Sequence, residues 1–270
     1  MSDSATEVLA RQTRLAIVEA LHAAGGGHFG GALSVVDILL ALYQNRPIQR
    51  AAETGDKLIL SKGHAAIALY GVLQSLGLLQ SDLAMYGSYG SGMEGHPDML
   101  ANELIHFYTG SLGQGLAAGF GMALALRGSK QHVWVVLGDG ECQEGQVWEA
   151  AMLAARYRVE NLHAIIDCNG AQECGWHHDD RLEQAPLPNA LAKWSSFGWA
   201  ASEVDGHQHA ALAEWISGAV ETGQKPSVAL AQTRKGYGVR LFESEPEKYH
   251  CRSLSAAEIL EARSNLLAHD

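Results

Sequence analysis

"VVLGDGECQEGQVWEA", residues 135–150, decides the fold class. Val135, Val136 and Leu137 read as a buried strand, which stops at Gly138-Asp139-Gly140 before a helical pattern begins near Gly145. An acid between two glycines, at the carboxyl end of a strand and just ahead of a helix N-terminus, sits where parallel α/β folds place their ligands.

Working outward, helical periodicity over residues 5–24, 33–44, 64–76, 111–127, 145–158, 209–222 and 255–268 alternates with short β-type runs. Those runs are "KLILS", "HVWVVLGD", "LHAIIDCN", "WAASEVDG" and "SVALAQT". Strands separated by helices long enough for right-handed crossovers predict an α/β fold, a mostly parallel central sheet with helices on both faces. Neither a repeat nor a low-complexity linker interrupts the pattern, so residues 1–270 are expected to form one domain. The loop "YGSYGSGMEGH", Tyr86 to His96, reads as a binding loop within it.

Composition narrows the function classes. With 47% apolar and 18% charged residues the chain can bury a large core, and 19 basic against 30 acidic residues give a net charge of −11. That balance argues against binding nucleic acid or an anionic membrane through a general basic surface; an anionic ligand needs local donors. No stretch has the roughly 18 uninterrupted apolar residues of a spanning helix, and the start lacks the charged and apolar regions of a secretion signal. A cytoplasmic setting is expected, with Cys142, Cys168, Cys174 and Cys251 as reduced thiols.

A carboxylate beside an anion site makes sense if a divalent cation lies between them. Mg²⁺ takes one or two protein carboxylates or carbonyls and completes its shell with phosphate oxygens and water. Asn169 ends the next strand about 30 residues after Asp139 and would face the same crevice. Taken singly, each reads equally well as a turn residue. Three histidines follow glycines, at Gly27-His28, Gly63-His64 and Gly95-His96, which suggests a shared polar pocket able to exchange protons near neutral pH. Thr109 to Gly115, "TGSLGQG", offers small residues and N–H groups ahead of a helix, with Leu112 able to press on an aromatic ring. Cys168, Cys174, His177 and His178 lack the two close-spaced pairs of a zinc site, and "FESEPEK" reads as a solvated loop leading to His250.

Taken together, these words resemble the transketolase family. The similarity runs through "GGGHFGGALSVVDILLALY", "DKLILSKGHAAIALYGVL", "GHPD", "TGSLGQGLAAGFGMALA", "GDGECQEGQVWEAAMLAA", "NLHAIIDCNG", "VDGHQ" and "TRKGYGV", in order over almost the whole chain. The resemblance implies thiamine diphosphate as cofactor, with Mg²⁺ (or Ca²⁺ or Mn²⁺) held by the side chains of Asp139 and Asn169 and the carbonyl of Ala171. It implies cofactor contacts from His64, Ser111, Leu112, Gly113, Gly138, Gly140, Glu141, Gln172, Lys235 and His250. His28 and His96 would line the sugar channel, with His250 reaching both the diphosphate and the reaction centre. Phe29, where the family often has proline, and "ECGWHHDD", an unusual loop after Asn169, depart from the pattern.

What the resemblance implies for function is ketol transfer. The cofactor supplies a carbanion that cleaves the bond beside a ketose carbonyl and carries a two-carbon unit to an aldose. The alternatives are a deoxyxylulose-phosphate synthase-like enzyme, a 2-oxo acid dehydrogenase-like enzyme and a non-catalytic cofactor-binding subunit; the Gly-His pairs, suited to a polyol, favour transketolase. In that family a glutamate on a second α/β domain activates the cofactor across a dimer interface, and the matches here all belong to the diphosphate-binding half. Glu144, a candidate catalytic residue, corresponds to an interface position rather than to that activating acid; the rival reading is a stand-alone enzyme whose own Glu144 or Glu173 activates the cofactor. The expectation is a split enzyme lacking the pyrimidine-binding and C-terminal domains. This chain would self-associate and form an α₂β₂ tetramer with a separately encoded pyrimidine-binding subunit, the whole acting on sugar phosphates.

Overall fold

The structure is a computed structural model describing residues 4–49, 54–173, 186–221 and 223–268. The chain runs α1 (Ala5–Ala23), α2 (Phe29–Ser34), α3 (Val36–Asn45), β1 (Lys57–Leu60), α4 (Ala66–Ser75), α5 (Gln114–Ala125), β2 (Val133–Gly138) and α6 (Gly145–Arg156). It continues through β3 (Leu162–Cys168), α7 (Ala190–Ser196), β4 (Ala200–Asp205), α8 (His209–Glu221), β5 (Ser227–Gln232), α9 (Arg240–Ser244) and α10 (Ala256–Leu267). All five expected strands are present, and every pairing is parallel, in the order β1-β2-β3-β5-β4.

Side-chain alternation divides the core between the two faces of the sheet. Val133, Val135, Leu137, Leu162, Ala164, Ile166, Val228 and Leu230 pack with Leu116 of α5 and Val147 of α6. Trp134, Val136, Ile165, Ala229 and Ala231 pack on the other side with α1, α3, α4 and α8. Trp134, Trp194 and Trp199 are almost fully buried; burying an aromatic of this size is worth roughly 4–6 kcal/mol from apolar area alone. Ser4 with Glu7 and Ser255 with Glu258 form capping boxes that start α1 and α10 where the sequence patterns begin.

Differences from the sequence expectations have local causes. The helix expected from residue 33 is two helices meeting at Val35, and α2 begins at Phe29, a fully buried ring 5.5 Å from that of Phe242. The helix expected from 64 opens as a tight 3-10 turn over Gly63–Ala65, and the one expected from 111 starts at Gln114 because Gly113 turns left-handed, φ 84°. The stretch read as a solvated acidic loop begins inside α9, with Phe242 fully buried, because its one aromatic packs at a tilt against Tyr249, ring centroids 4.6 Å apart. Short α7 was not legible in the helical periodicity either. The Cys174 to Asp180 loop lies outside the described residues. Among those described, no helix is long and apolar enough to cross a membrane.

Candidate active site

The register sets the site. Gly138 lies opposite Asp167, and Cys168 opposite Gln232, so β2, β3 and β5 end side by side and their following residues share one crevice. Asp139 leaves β2 buried, its carboxylate accepting the N–H of Gly140 and the N–H of Gly170, both at 2.8 Å. Burial, reinforced by the nearby Asp167, pushes its pKa up to about 6 against the pull of those N–H groups. A desolvated carboxylate next to a second one is an environment that a cation would relieve.

Asn169 stands beside it. Its amide oxygen accepts from the N–H of Ala171 at 3.2 Å, and its amide nitrogen lies 3.3 Å from Asp167 and 3.4 Å from the hydroxyl of Ser34. The Ala171 carbonyl accepts from Lys235 Nζ at 3.2 Å, and Lys235 is also 2.7 Å from Nδ1 of His250. Burial, then the charge of Lys62, lowers the Lys235 pKa to about 8. Among the described residues no cluster of three or more His, Cys, Asp and Glu side chains forms a metal site. A carboxylate, an amide and a carbonyl are all hard oxygen donors, so the residues fit Mg²⁺, Ca²⁺ or Mn²⁺ better than zinc.

The histidines converge. The rings of His28 and His64 are 5.2 Å apart, those of His28 and His250 5.4 Å, and those of His64 and His250 5.8 Å. Burial, with neighbouring cations, lowers the His64 pKa to about 2 and the His250 pKa to about 3; burial also lowers that of His28. Three neutral imidazoles therefore face one another at pH 7, each with one donor and one acceptor nitrogen. Exposed His96 lies across the opening, against Gly110. His28 reaches its place because α2 comes very close to the segment beneath it: a Cβ on Gly30 would fall 2.7 Å from Lys235 Cγ.

Ser111 and Leu112 are exposed in the turn before α5, and Glu144 stands next to them, its Cβ 2.7 Å from where a Cβ on Gly113 would lie. Gln172 reaches over Gly140, with Oε1 accepting from Gln143 Nε2 at 2.9 Å. Glu141 points inward. Its carboxylate accepts from the Ser61 hydroxyl, the Gly113 N–H at 2.9 Å and the Gly138 N–H at 3.1 Å, pinning together three of the segments around the crevice.

Beneath the crevice lies a feature that sequence reasoning missed. Lys62 and Asp167, both almost fully buried, form an ion pair, and Asp167 also takes hydrogen bonds from Ser34 at 2.6 Å and from Thr233. Lys62 donates as well to the Gly31 carbonyl at 3.0 Å, tying β1 to α2. The available signal was a charge at the end of the apolar run "LHAIID".

Strand-end oxygen donors, a Gly-rich turn before a helix and a group of neutral histidines meet at one end of a parallel α/β sheet, the end at which such folds bind their ligands. Residues 5–269 match the family described as transketolase, thiamine diphosphate binding domain. The chain belongs to that family, whose enzymes transfer ketol units. It is 34% identical to one of the subunits of the apulose-4-phosphate transketolase of Phocaeicola vulgatus, over 90% of this chain and 88% of that protein. It is 37% identical to SqwG of Clostridium sp., named for its place in a 6-deoxy-6-sulfo-D-fructose transketolase, over 82% of each chain. A transketolase structure from Campylobacter jejuni superposes with a TM-score of 0.85 at 26% identity, covering 98% of this chain and 43% of that one. The chain thus spans most of the two relatives named as transketolase subunits but about two-fifths of the Campylobacter transketolase chain.

Proposed function

We propose that this chain is the diphosphate-binding subunit of a two-subunit transketolase that moves a two-carbon ketol unit from a ketose to an aldose, with sugar phosphates as the expected substrates. The observation that carries the reading is the meeting of Asp139, Asn169 and the Ala171 carbonyl at adjoining strand ends, beside the cluster of His28, His64 and His250. Bound thiamine diphosphate would supply the carbanion chemistry that breaks and remakes the carbon–carbon bond.

The chain's own residues take three tasks. Asp139, Asn169 and the Ala171 carbonyl hold a divalent cation, Mg²⁺ or in its place Ca²⁺ or Mn²⁺. His64, Lys235, His250, Gln172, Gly138, Gly140 and the Ser111–Gly113 turn receive the cofactor, while Glu141 braces that turn from below. His28, His96 and His250 exchange protons with sugar hydroxyls; His28 and His250, neutral at pH 7, donate at one nitrogen and accept at the other, and acid–base groups give typically 10²–10⁴-fold each.

The same proposal makes residues 1–270 one diphosphate-type domain and gives the pyrimidine-binding part to another polypeptide. The coverage of 88% and 82% of two relatives named as transketolase subunits supports this. An α₂β₂ assembly with Glu144 at an interface, working in the cytoplasm where Cys142, Cys168 and Cys251 stay reduced, completes the reading. The test is direct. Purified alone with saturating thiamine diphosphate and Mg²⁺, the chain should give no ketol transfer, and activity should appear on titrating in a separately encoded pyrimidine-binding subunit. Robust turnover by the chain alone would sink the split assignment; no transfer by the saturated pair from any ketose phosphate would sink ketol transfer.

A further inference from the structure

Outside the crevice just described, a cleft of about 590 Å³ opens between the first half of α1, the start of α3, the loop after β4 and the segment leading into α9. Four guanidinium groups line it, those of Arg11, Arg14, Arg234 and Arg240, in a chain whose net charge is −11. Three carboxylates share the lining, and each is already engaged. Asp37, at the base, is held by Arg14, by His207 Nδ1 at 2.7 Å and by His209 Nε2 at 3.0 Å. Glu243 accepts the Gly238 N–H at 2.8 Å and pairs with Arg234 at 3.2 Å, and Glu7 accepts the Ser4 N–H at 2.6 Å.

The cationic groups are set by packing. Tyr237 is stacked on His207 with centroids 3.5 Å apart, and the guanidinium carbons of Arg14 and Arg234 lie 4.7 and 4.6 Å from the same ring. Such contacts orient a guanidinium while leaving N–H groups for a ligand. Arg240 is exposed, its side chain making no hydrogen bond or ion pair to the described residues. The His207 ring is fixed from both ends, with Nδ1 2.7 Å from an Asp37 carboxylate oxygen and Nε2 accepting the backbone N–H of Arg234 at 2.9 Å. The cleft therefore offers fork-shaped donors on a pre-set wall, the arrangement that suits a small dianion rather than a neutral polyol.

We propose that this cleft binds the dianion of a phosphate monoester or of phosphate itself, gripped by Arg234 and Arg240 at the rim with Arg11 and Arg14 deeper. It backs onto the cofactor crevice without belonging to it. Arg234 faces the cleft, whereas the next residue, Lys235, is buried and reaches the Ala171 carbonyl on the other side. Arg14 donates through Nε to the Leu33 carbonyl at 3.1 Å, one residue before the Ser34 that holds Asp167. Occupancy of the cleft thus bears on both walls of the crevice.

The experiment uses the full chain saturated with thiamine diphosphate and Mg²⁺, titrated calorimetrically at constant ionic strength with inorganic phosphate and, separately, with ribose 5-phosphate. Binding should weaken about tenfold in Arg240→Ala, the loss of one charge-assisted contact, and vanish in Arg234→Ala/Arg240→Ala, with the unliganded thermal midpoint unchanged. Equal affinity for both ligands would show that the phosphate group alone is read. Tighter ribose 5-phosphate binding that disappears in the same double variant would make the sugar phosphate the source. Absence of binding of either ligand, or binding indifferent to both substitutions, overturns the proposal. Because ketol transfer is not measured, the outcome stands apart from the fate of the proposed activity.

Discussion

The carboxylate of Asp139 accepts the N–H of Gly170 at 2.8 Å, so one side chain ties the end of β2 to the end of β3 at the point where the crevice opens. The same carboxylate is the best-placed anion for a cation, since burial and Asp167 both disfavour its bare charge. Asp139→Ala should lower thiamine diphosphate affinity at least 100-fold in the presence of Mg²⁺, on the scale of a lost metal ligand. Unchanged affinity by calorimetry, with a native circular dichroism spectrum, would remove Asp139 from the metal site.

The histidine cluster predicts a division of labour. His64, the most depressed of the three and the ring nearest Gly31, should when changed to Ala chiefly weaken cofactor binding. His28→Ala and His96→Ala should leave cofactor affinity within a few-fold and lower turnover by 10²–10⁴, about the size of one acid–base contribution. Steady-state kinetics on the assembled enzyme, beside cofactor titrations, separates the two patterns. Identical behaviour of all three variants would count against it.

Much of this architecture was legible in the chain. Strand ends were marked by apolar runs stopping at Gly138-Asp139 and Cys168-Asn169, because burial on both faces demands continuous apolar residues and the turn demands glycine or a small polar group. The site residues drawn from the family resemblance do converge: His28, His64 and His250 meet although up to 222 positions separate them in sequence. Less legible was what supports them. Lys62, Ser34, Thr233 and Asp167 come from four segments and form one buried network only after α2 folds onto β3, which no local pattern encodes. Short helices such as α7 and α9 were missed for a similar reason: at 7 and 5 residues they are too brief for periodicity and owe their place to buried Trp194 and Phe242.

That network gives a stability prediction. Lys62→Met leaves Asp167 buried without its cation, and removing one partner of a buried pair typically costs about 3–5 kcal/mol. Urea unfolding should show a loss of that order. Restoring part of it with Lys62→Met/Asp167→Asn, which also removes the orphaned charge, would identify the cause; a single substitution costing under about 1 kcal/mol would contradict it.

At the opposite, amino end of β3 His163 is fully buried, stacked on Trp134 at 4.4 Å, with its nitrogens 2.8 Å from His132 and 2.7 Å from the Ser227 hydroxyl. Burial, then the charge of His132, holds its pKa well below the ordinary value. Because the folded value is depressed, the unfolded chain takes up the proton first, so stability is complete above about pH 6.5 and declines as pH falls below it. His64 and His250, also depressed, add to the same slope. Urea midpoints measured from pH 7.5 to 5 should fall, and His163→Gln should flatten part of the decline. A flat profile in the parent chain would exclude this linkage.

Gly113 carries the last prediction. It caps α5 with φ 84°, a conformation that costs an L-residue about 1–2 kcal/mol, and a Cβ there would meet Glu144 Cβ at 2.7 Å. Its N–H is also held by Glu141, so any shift to relieve the clash loosens the brace that fixes the Ser111–Gly113 turn. Gly113→Ala should therefore destabilise the chain by about 1–3 kcal/mol and weaken thiamine diphosphate binding more than tenfold, because strain and turn geometry change together. Shortening the obstacle in Gly113→Ala/Glu144→Gly should recover part of the stability while leaving the φ cost in place. If Gly113→Ala is neutral in urea unfolding and in cofactor titration, the turn is not the rigid cradle that the hydrogen bond to Glu141 implies.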